Sequence, residues 1–391
     1  MRSFAVLSLF TLASAAPLLK ARSGTPIPGA YIVVLKNESA DEFRIQSAIM
    51  STVEKTAEWK QEEFNGFAAK LSSEELQALQ DAPEVGVDLP FARDPVEFIE
   101  EDAEVSINAI VTQTGAPWGL ARISSTARGG TTYRYDDSAG VGTCSYIIDT
   151  GLYAAHSDFG GRASQVANFV DSSNTDGNGH GTHVAGTIGG TKYGVAKRTT
   201  LLGVKVLNAS GSGTNSGVIS GMNFVVTDAR TRSCPNGVVV NMSLGGSTST
   251  AVNNAARAIT SAGHFLAVAA GNSNANAASF SPASEPSACT VGATTSTDAK
   301  ASYSNYGALV DVFAPGSGIL SAWIGGTTAS RTIDGTSMAS PHIAGLGAYL
   351  LALRGPQTPA ALCSYIATNA NRGVITGLPS GTVNALAYNG A

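Results

Sequence analysis

Charge is scarce in this chain: Lys, Arg, Asp and Glu make up 14% of its 391 residues, against about 25% in an average globular protein. With 43% hydrophobic residues the chain can build a sizeable core, which excludes wholesale disorder. A basic surplus is also missing, and a net charge of -5 leaves no nucleic-acid footprint. No apolar run reaches the roughly 18 residues of a membrane span. Cysteines number only four, Cys144, Cys234, Cys289 and Cys363. No two of them form a CxxC pair, which excludes a zinc ribbon. HExxH is absent, so His180 and His183 are not that metal pair; His183 reads as packing behind His180. GSGTNSG (211–217) matches neither Walker A nor GxGxxG and reads as a loop at a substrate edge.

What is present is unevenly spread. Residues 1–108 hold 9 basic and 18 acidic residues, a net of -9, whereas 109–391 carry a net of +4. That step sets a domain boundary. The chain opens MRSFAVLSLFTLASAAP, with Arg2 as a positive start, an apolar stretch from Phe4 to Leu12 and the small-residue signal Ala13-Ser14-Ala15. This is the pattern of a secretory signal peptide over 1–15. In a secreted protein four cysteines form two disulfides, with three connectivities open at this point. Sequons stand at Asn37, Asn208 and Asn241. Asn37 and Asn208 are the expected glycosylation sites; Asn241 lies inside an apolar strand pattern and is expected to stay bare.

Residues 30–105 alternate short strands with two helices. Strands are expected at 30–36, 64–71, around 84–90 and at 95–100. A capping box at 39–42 opens a helix to about Gln61, and a second box at 72–75 opens a shorter one. The acidic segment 97–104 reads as exposed. The order suggests a small α+β unit. Beyond 109, TCSYIIDT (143–150), TLLGVKVL (200–207), GVVVNMSL (237–244) and HFLAVAA (264–270) are near-continuous apolar runs. Helical stretches lie between them, around 180–189, 216–230 and 249–262. This alternation predicts an α/β domain, a mostly parallel sheet with helices on both faces. Ligands bind such sheets at the carboxyl ends of the strands.

Three motifs fall there. Asp149 ends a strand in YIIDTG, His180 starts a helix in GNGHGTHVAG, and Ser337 starts another in DGTSMASPH. An acid, a base and a hydroxyl are the parts of a nucleophilic triad. A serine is a poor nucleophile until a base takes its proton, and the acid holds the base's tautomer. The Ser337 backbone N–H and the Asn272 amide, just past AVAAGN, are candidate donors to a tetrahedral oxyanion. DTG is also an aspartic-protease signature, but that chemistry needs two such carboxylates, and no second DTG or DSG occurs. His156, His264 and His342 have no motif partner and read as structural.

YIIDTG, GHGTHVAGT, AVAAGN and GTSMASPH resemble the signatures of the subtilisin-like serine proteases, in the same Asp, His, Ser order. GAPWGLARIS, GVKVL, SPASEPSACTVGA and SGTVNALAYNGA resemble the fungal proteinase K group, which includes cuticle-degrading enzymes. The likeness spans nearly all of 109–391; residues 30–105 resemble, more loosely, the family's ferredoxin-like inhibitory propeptide. The resemblance implies a signal peptide (1–15), a propeptide domain (16–108) and a subtilisin-like peptidase domain (109–391). It implies a secreted, self-processing serine endopeptidase with Ser337 as nucleophile, His180 as base, Asp149 as its orienting acid and Asn272 in the oxyanion hole. Substrate backbone is expected against Ser243-Leu244-Gly245 and Ala269-Ala270-Gly271, with Gly211-Ser212-Gly213 further out. None of these is charged, so the first pocket should take apolar or aromatic side chains. Many relatives carry Tyr where Asn215 stands, so a more open outer pocket is expected. A structural Ca²⁺ on Asp311 and the carbonyls of Pro286 and Ala288 is implied, with no cofactor for catalysis. A second family calcium position is Val374 here, so that site is expected to be missing. The disulfides are expected as Cys144–Cys234 and Cys289–Cys363. Expected partners are protein or peptide substrates and the chain's own propeptide, with no nucleic acid, no membrane and a monomeric chain.

Overall fold

The computed structural model describes residues 16–20, 26–36, 53–61, 64–80, 96–103 and 109–391. The chain divides into two compact units, Met1–Ile107 and Asn108–Ala391. The expected signal peptide, Asn37, the first part of the 39–61 helix, the 84–90 strand and the segment 105–108 lie outside the described residues.

The first unit holds β1 (Leu18–Leu19), β2 (Pro26–Leu35), β3 (Lys55–Lys60), β4 (Asn65–Lys70), helix α1 (Ser73–Gln80) and β5 (Val96–Ala103). They form one sheet in the order β1-β5-β2-β4-β3, closed over Val33, Phe67, Leu79 and Ile99. The box at the start of α1 is reciprocal: the Glu75 N–H donates to Ser72 Oγ (3.2 Å) and the Ser72 N–H to Glu75 Oε2 (2.8 Å). Two expectations are corrected. The helix drawn to Gln61 is a strand over Lys55–Lys60, antiparallel to β4. Glu58 and Lys60 favour helix weakly, but a paired neighbour and the Trp59–Phe64 ring contact at 5.8 Å decide for strand. The acidic 97–103 stretch is not free surface; it lies between β1 and β2, and only Glu97 is fully exposed.

In the second unit β6 (Ile110–Thr114) and β7 (Thr132–Asp136) pair antiparallel on either side of helix α2 (Trp118–Ile123). Then come β8 (Thr143–Asp149), β9 (Ala163–Asn168), α3 (His180–Gly189), β10 (Thr200–Lys205), α4 (Asn215–Asp228) and β11 (Gly237–Met242). Short β12 (Gly246–Ser247), α5 (Thr250–Ser261), β13 (Phe265–Ala269), short β14 (Phe280–Ser281), β15 (Cys289–Thr294) and β16 (Val312–Pro315) follow. The hairpin β17 (Ile319–Ala322) and β18 (Ser330–Ile333) precedes the long α6 (Thr336–Arg354), α7 (Pro359–Thr368), β19 (Asn371–Arg372) and β20 (Ala385–Leu386). Nine strands make the central sheet, in the order β19-β20-β16-β15-β13-β11-β8-β10-β9. Every pair in it is parallel except β19 with β20. All seven residues of β8 and all five of β13 are buried. That two-sided burial is why these strands read as unbroken apolar runs. On one face Val184, Ile188 and Leu346 pack from α3 and α6; on the other Met222, Val225 and Ile259 pack from α4 and α5.

The chain leaves β8 for β10 on one side and returns to β11 on the other. The sheet therefore reverses its winding at β8, and a crevice opens at that strand's carboxyl end. Asp149 is its last residue.

Candidate active site

Asp149 is fully buried. Its Oδ1 accepts from His180 Nδ1 (2.7 Å) and from the Thr150 N–H (2.7 Å), while Oδ2 has no protein partner. His180 is the first residue of α3, and the loop before it is tied down by a second buried carboxylate, Asp176. Asp176 accepts from the Asn178, Gly179 and Thr182 N–H groups and from the Thr150 and Thr182 hydroxyls. Gly179 caps the helix at φ 106°, and a Cβ there would lie 2.5 Å from the Trp323 ring, so only glycine fits. Burial pushes the His180 imidazole down. The charge and hydrogen bond of Asp149, aided by Asp176, outweigh this and hold it above its ordinary 6.5.

Ser337 stands in the first turn of α6. Its Oγ donates to the carbonyl of Ser243 (3.1 Å), not to His180. Asp149 and His180 are thus joined, while the Ser337 hydroxyl is engaged by the Ser243 carbonyl. Four residues on, Pro341 has no N–H to offer the Ser337 carbonyl, and Ser243 Oγ donates to it instead (2.7 Å). Asn241 Nδ2 donates to that Ser243 hydroxyl (2.9 Å), and Ser340 Oγ to Asn241 Oδ1 (2.8 Å). Asn241 is therefore buried and engaged.

The Asn272 side chain is oriented by Thr336. Its Oδ1 accepts from both the Thr336 N–H and the Thr336 hydroxyl, each at 2.8 Å. The amide nitrogen must then point the other way, and a Cβ at Gly335 would sit 3.4 Å from it. Gly271 (φ 102°) and Gly335 (φ 152°) keep the backbone on both sides of this amide bare.

Two cavities flank Ser337 and His180. One of about 240 Å³ is lined by Leu244, Gly245, Ala269, Ala270, Gly271, Asn272 and Ser337. A larger one of about 430 Å³ is lined by His180, Ser243, Gly211, Ser212, Gly213 and Asn215, over an apolar floor of Leu207, Val218 and Leu244. The nine expected substrate-side residues divide between these two cavities, which share Leu244 and Gly245, and the smaller cavity carries no charged side chain.

The profile of the family described as "Peptidase_S8: Subtilase family" matches residues 142–386. The chain belongs to the subtilase family. It is a serine protease of the subtilisin type. It is 62% identical over 327 residues to the "Subtilisin-like serine protease AsES" of Sarocladium strictum, covering 84% of this chain and 81% of that protein. It is 54% identical over 379 residues to the "Cuticle-degrading protease" of Metarhizium anisopliae, covering 97% and 94%. Among solved structures it is similar to that of a cold adapted subtilisin-like serine proteinase, at 45% identity and a TM-score of 0.67, covering 71% of this chain and all of that one.

Around this subtilase site the supporting residues are those that motif reading missed. Lys205 is fully buried and donates to the carbonyls of Thr150 (3.0 Å) and Leu207 (2.9 Å), clamping the turns after β8 and β10. Its signal was present in the sequence, as a charge at the end of an apolar run. His183 Nε2 lies 2.9 Å from the Ile319 carbonyl and 3.1 Å from that of Arg331, fastening α3 to the β17–β18 hairpin. His156 Nε2 meets the Ala329 carbonyl and His342 Nδ1 that of Met338, each at 2.8 Å, contacts that suit structural roles.

Disulfides join Cys144 to Cys234 and Cys289 to Cys363, the expected pairing. Asp311 immediately precedes β16 and accepts from the Thr290 N–H on neighbouring β15 (2.7 Å). Ala288 immediately precedes β15, so both fall at the amino edge of the sheet. Burial pushes the Asp311 carboxyl up to about 6, and among the described residues no cationic side chain pairs with it. A half-buried carboxylate, with Ala288 on the neighbouring strand's entry, is an oxygen donor that suits Ca²⁺. The Pro286–Ala288 loop is stiffened by Glu285, which accepts from Arg257 (2.7 Å) and from the Ser287 N–H and hydroxyl.

Proposed function

We propose that this subtilase is a secreted serine endopeptidase using Asp149, His180 and Ser337 as its triad. The observation that supports the reading is the buried Asp149–His180 bond, with His180 and Ser337 lining two cavities that share Leu244 and Gly245 and hold no Asp, Glu, Lys or Arg. The Ser337 hydroxyl turns from the Ser243 carbonyl to His180 Nε2, which takes its proton as Oγ attacks the scissile carbonyl carbon. Asp149 holds Nδ1–H and stabilises the imidazolium, consistent with the raised His180 pKa. The Ser337 N–H and Asn272 Nδ2 receive the developing oxyanion. His180 then protonates the leaving amine, and water, activated by the same imidazole, releases the acyl group.

Peptide backbone lies along Ser243–Gly245 and Ala269–Gly271, with Gly211–Gly213 against the outer residues. The uncharged smaller cavity favours apolar or aromatic side chains at the first position. The precursor is organised as signal peptide 1–15, inhibitory propeptide 16–108 and peptidase 109–391. Self-cleavage leaves Ala109 as the new terminus and Val105–Asn108 in the cleft as product. Tethering supplies the high effective concentration that lets Asn108 occupy an apolar pocket. Asp311 with the carbonyls of Pro286 and Ala288 holds a Ca²⁺ that supports the fold and takes no part in the chemistry. No helix among the described residues is long and apolar enough to cross a membrane. The mature enzyme is read as an extracellular monomer.

An organophosphonate labels an activated serine. Matured protein should give a single adduct at Ser337; an unlabelled Ser337 would overturn the triad. Expressing the Ser337→Ala precursor beside wild type tests self-processing, since only wild type should begin at Ala109. Isolated 16–108 should inhibit the mature enzyme, and its failure would remove the inhibitory role alone.

A further inference from the structure

The loop after β10 closes on Asn208. The Asn208 N–H donates to the Ser212 carbonyl and the Gly211 N–H to the Asn208 carbonyl, both at 2.9 Å. Asn208 Oδ1 accepts from the Ser210 N–H (3.0 Å), the Ser210 hydroxyl (2.7 Å) and the Ser212 N–H (3.1 Å). This side-chain turn fixes the amide with its oxygen inward. Nδ2 has no partner among the described residues, and the adjoining Ala209 and Ser210 are exposed. Asn208-Ala209-Ser210 is an acceptor sequence for N-linked sugar. Chain and hydroxyl thus engage the amide oxygen and leave the nitrogen to be modified, on a half-exposed residue in an exposed loop.

The loop's other side is the cleft. Ser212 and Gly213 line the larger cavity beside His180, and also an outer hollow shared with Asn208, Phe169 and Val170. The Ala209 carbonyl accepts from Asn178 Nδ2 (2.9 Å), two residues before His180. A sugar on Asn208 would therefore rise from the outer wall of the loop that receives substrate.

We infer that Asn208 carries an N-linked glycan that admits thin, extended polypeptide to the outer cleft and hinders folded protein. The inference rests on the reading of a secreted endopeptidase, because transfer occurs in the secretory lumen. There, Nδ2 attacks C1 of the reducing-end N-acetylglucosamine of a polyprenyl-diphosphate oligosaccharide. The N–C1 bond forms and the C1–O bond to diphosphate breaks. The lipid diphosphate departs with the electron pair, and one amide proton passes to the transferase's base. Nothing in the triad, the oxyanion donors or the first pocket is altered by this step.

The test uses the full chain secreted from a glycosylating fungal host. Occupancy is read on the Ser337→Ala chain by peptide mapping before and after amidase release of the sugar, which converts Asn208 to Asp. That readout needs no activity, so it stands apart from any failure of the triad. Two variants remove the sequon, Asn208→Gln and Ser210→Ala; the second keeps both backbone N–H bonds to Asn208 Oδ1. In active enzyme both should lose the glycan mass and leave kcat/KM for a short peptide anilide unchanged. Both should raise kcat/KM for a native folded protein several-fold. Unmodified Asn208 in the Ser337→Ala chain would overturn the site. Glycan loss with an unchanged ratio of folded-protein to peptide cleavage would overturn the filter.

Discussion

Removing the Cys144–Cys234 bridge should cost stability that can be worked from the loop it closes. The cysteines are 90 residues apart, and chain entropy over such a loop gives about 4.6 kcal/mol. The Cys289–Cys363 bridge spans 74 residues and gives about 4.4 kcal/mol. The logarithm makes the two nearly equal, although one ties the start of β8 to a turn and the other ties β15 to α7. The loops do not interleave in sequence, so the two losses should add. For a unit of roughly 280 residues the unfolding entropy is about 0.6 kcal/mol/K, so each loss lowers Tm by about 8 °C. The assay is calorimetry on Ser337→Ala protein carrying Cys144→Ala with Cys234→Ser, the corresponding pair at 289 and 363, and all four changes. The Ser337→Ala background prevents self-digestion during the scan. Single-bridge losses of about 8 °C that sum in the quadruple variant support the entropy argument. A loss below about 2 °C for either bridge, or a strongly non-additive sum, would refute it. The same bridge is removed in active enzyme to check the site. Because Asp149 is held at the far end of β8 by His180 and Thr150 rather than by Cys144, kcat at 25 °C should hold near wild type.

Three further outcomes are expected. Asn272→Ala should lower kcat by roughly 10²–10³ with KM little changed, the figure measured for the corresponding donor in a subtilisin; an unchanged kcat would remove Asn272 from the oxyanion hole. Asp311→Asn should abolish most of the rise in melting temperature that Ca²⁺ gives to chelator-treated protein, and a full rise in that variant would place the ion elsewhere. Burial pushes His183 and His342 down to about 4, so the unfolded chain, near 6.5, takes up these protons first. Stability is therefore present above pH 6.5 and drains away as pH falls toward 4, by about 3 kcal/mol for each histidine. Melting temperatures of Ser337→Ala protein measured across that window should fall steadily, and a flat profile would contradict the burial argument.

Much of the site was legible because its chemistry is local in sequence. Asp149 at a strand end, His180 and Ser337 at helix starts and Asn272 after AVAAGN each sit in a short motif. The rule that such sheets bind at their carboxyl edge collects them in one crevice. Two-sided burial makes β8, β10, β11 and β13 read as apolar runs, so their limits fell within two residues of the sequence reading. The capping box at Ser72 was equally local. What the sequence could not supply was the identity of partners far along the chain. Thr336 orients Asn272 from 64 residues away, and Ser243 holds the hydroxyl and carbonyl of Ser337 from 94 residues away. Asp176 looks like one more loop acid until five donors converge on it, and Lys205 looks misplaced until two carbonyls meet its ammonium. The strand at Lys55–Lys60 shows the same limit: its residues lean slightly toward helix, and only pairing with Asn65–Lys70 turns the balance. Composition and motif spacing determined the fold class and the candidate reacting groups, since both depend on residue type and short-range period. Which hydroxyl, amide or carboxylate fixes each reacting group was decided by packing, because those hydrogen bonds exist only once distant strands are brought side by side.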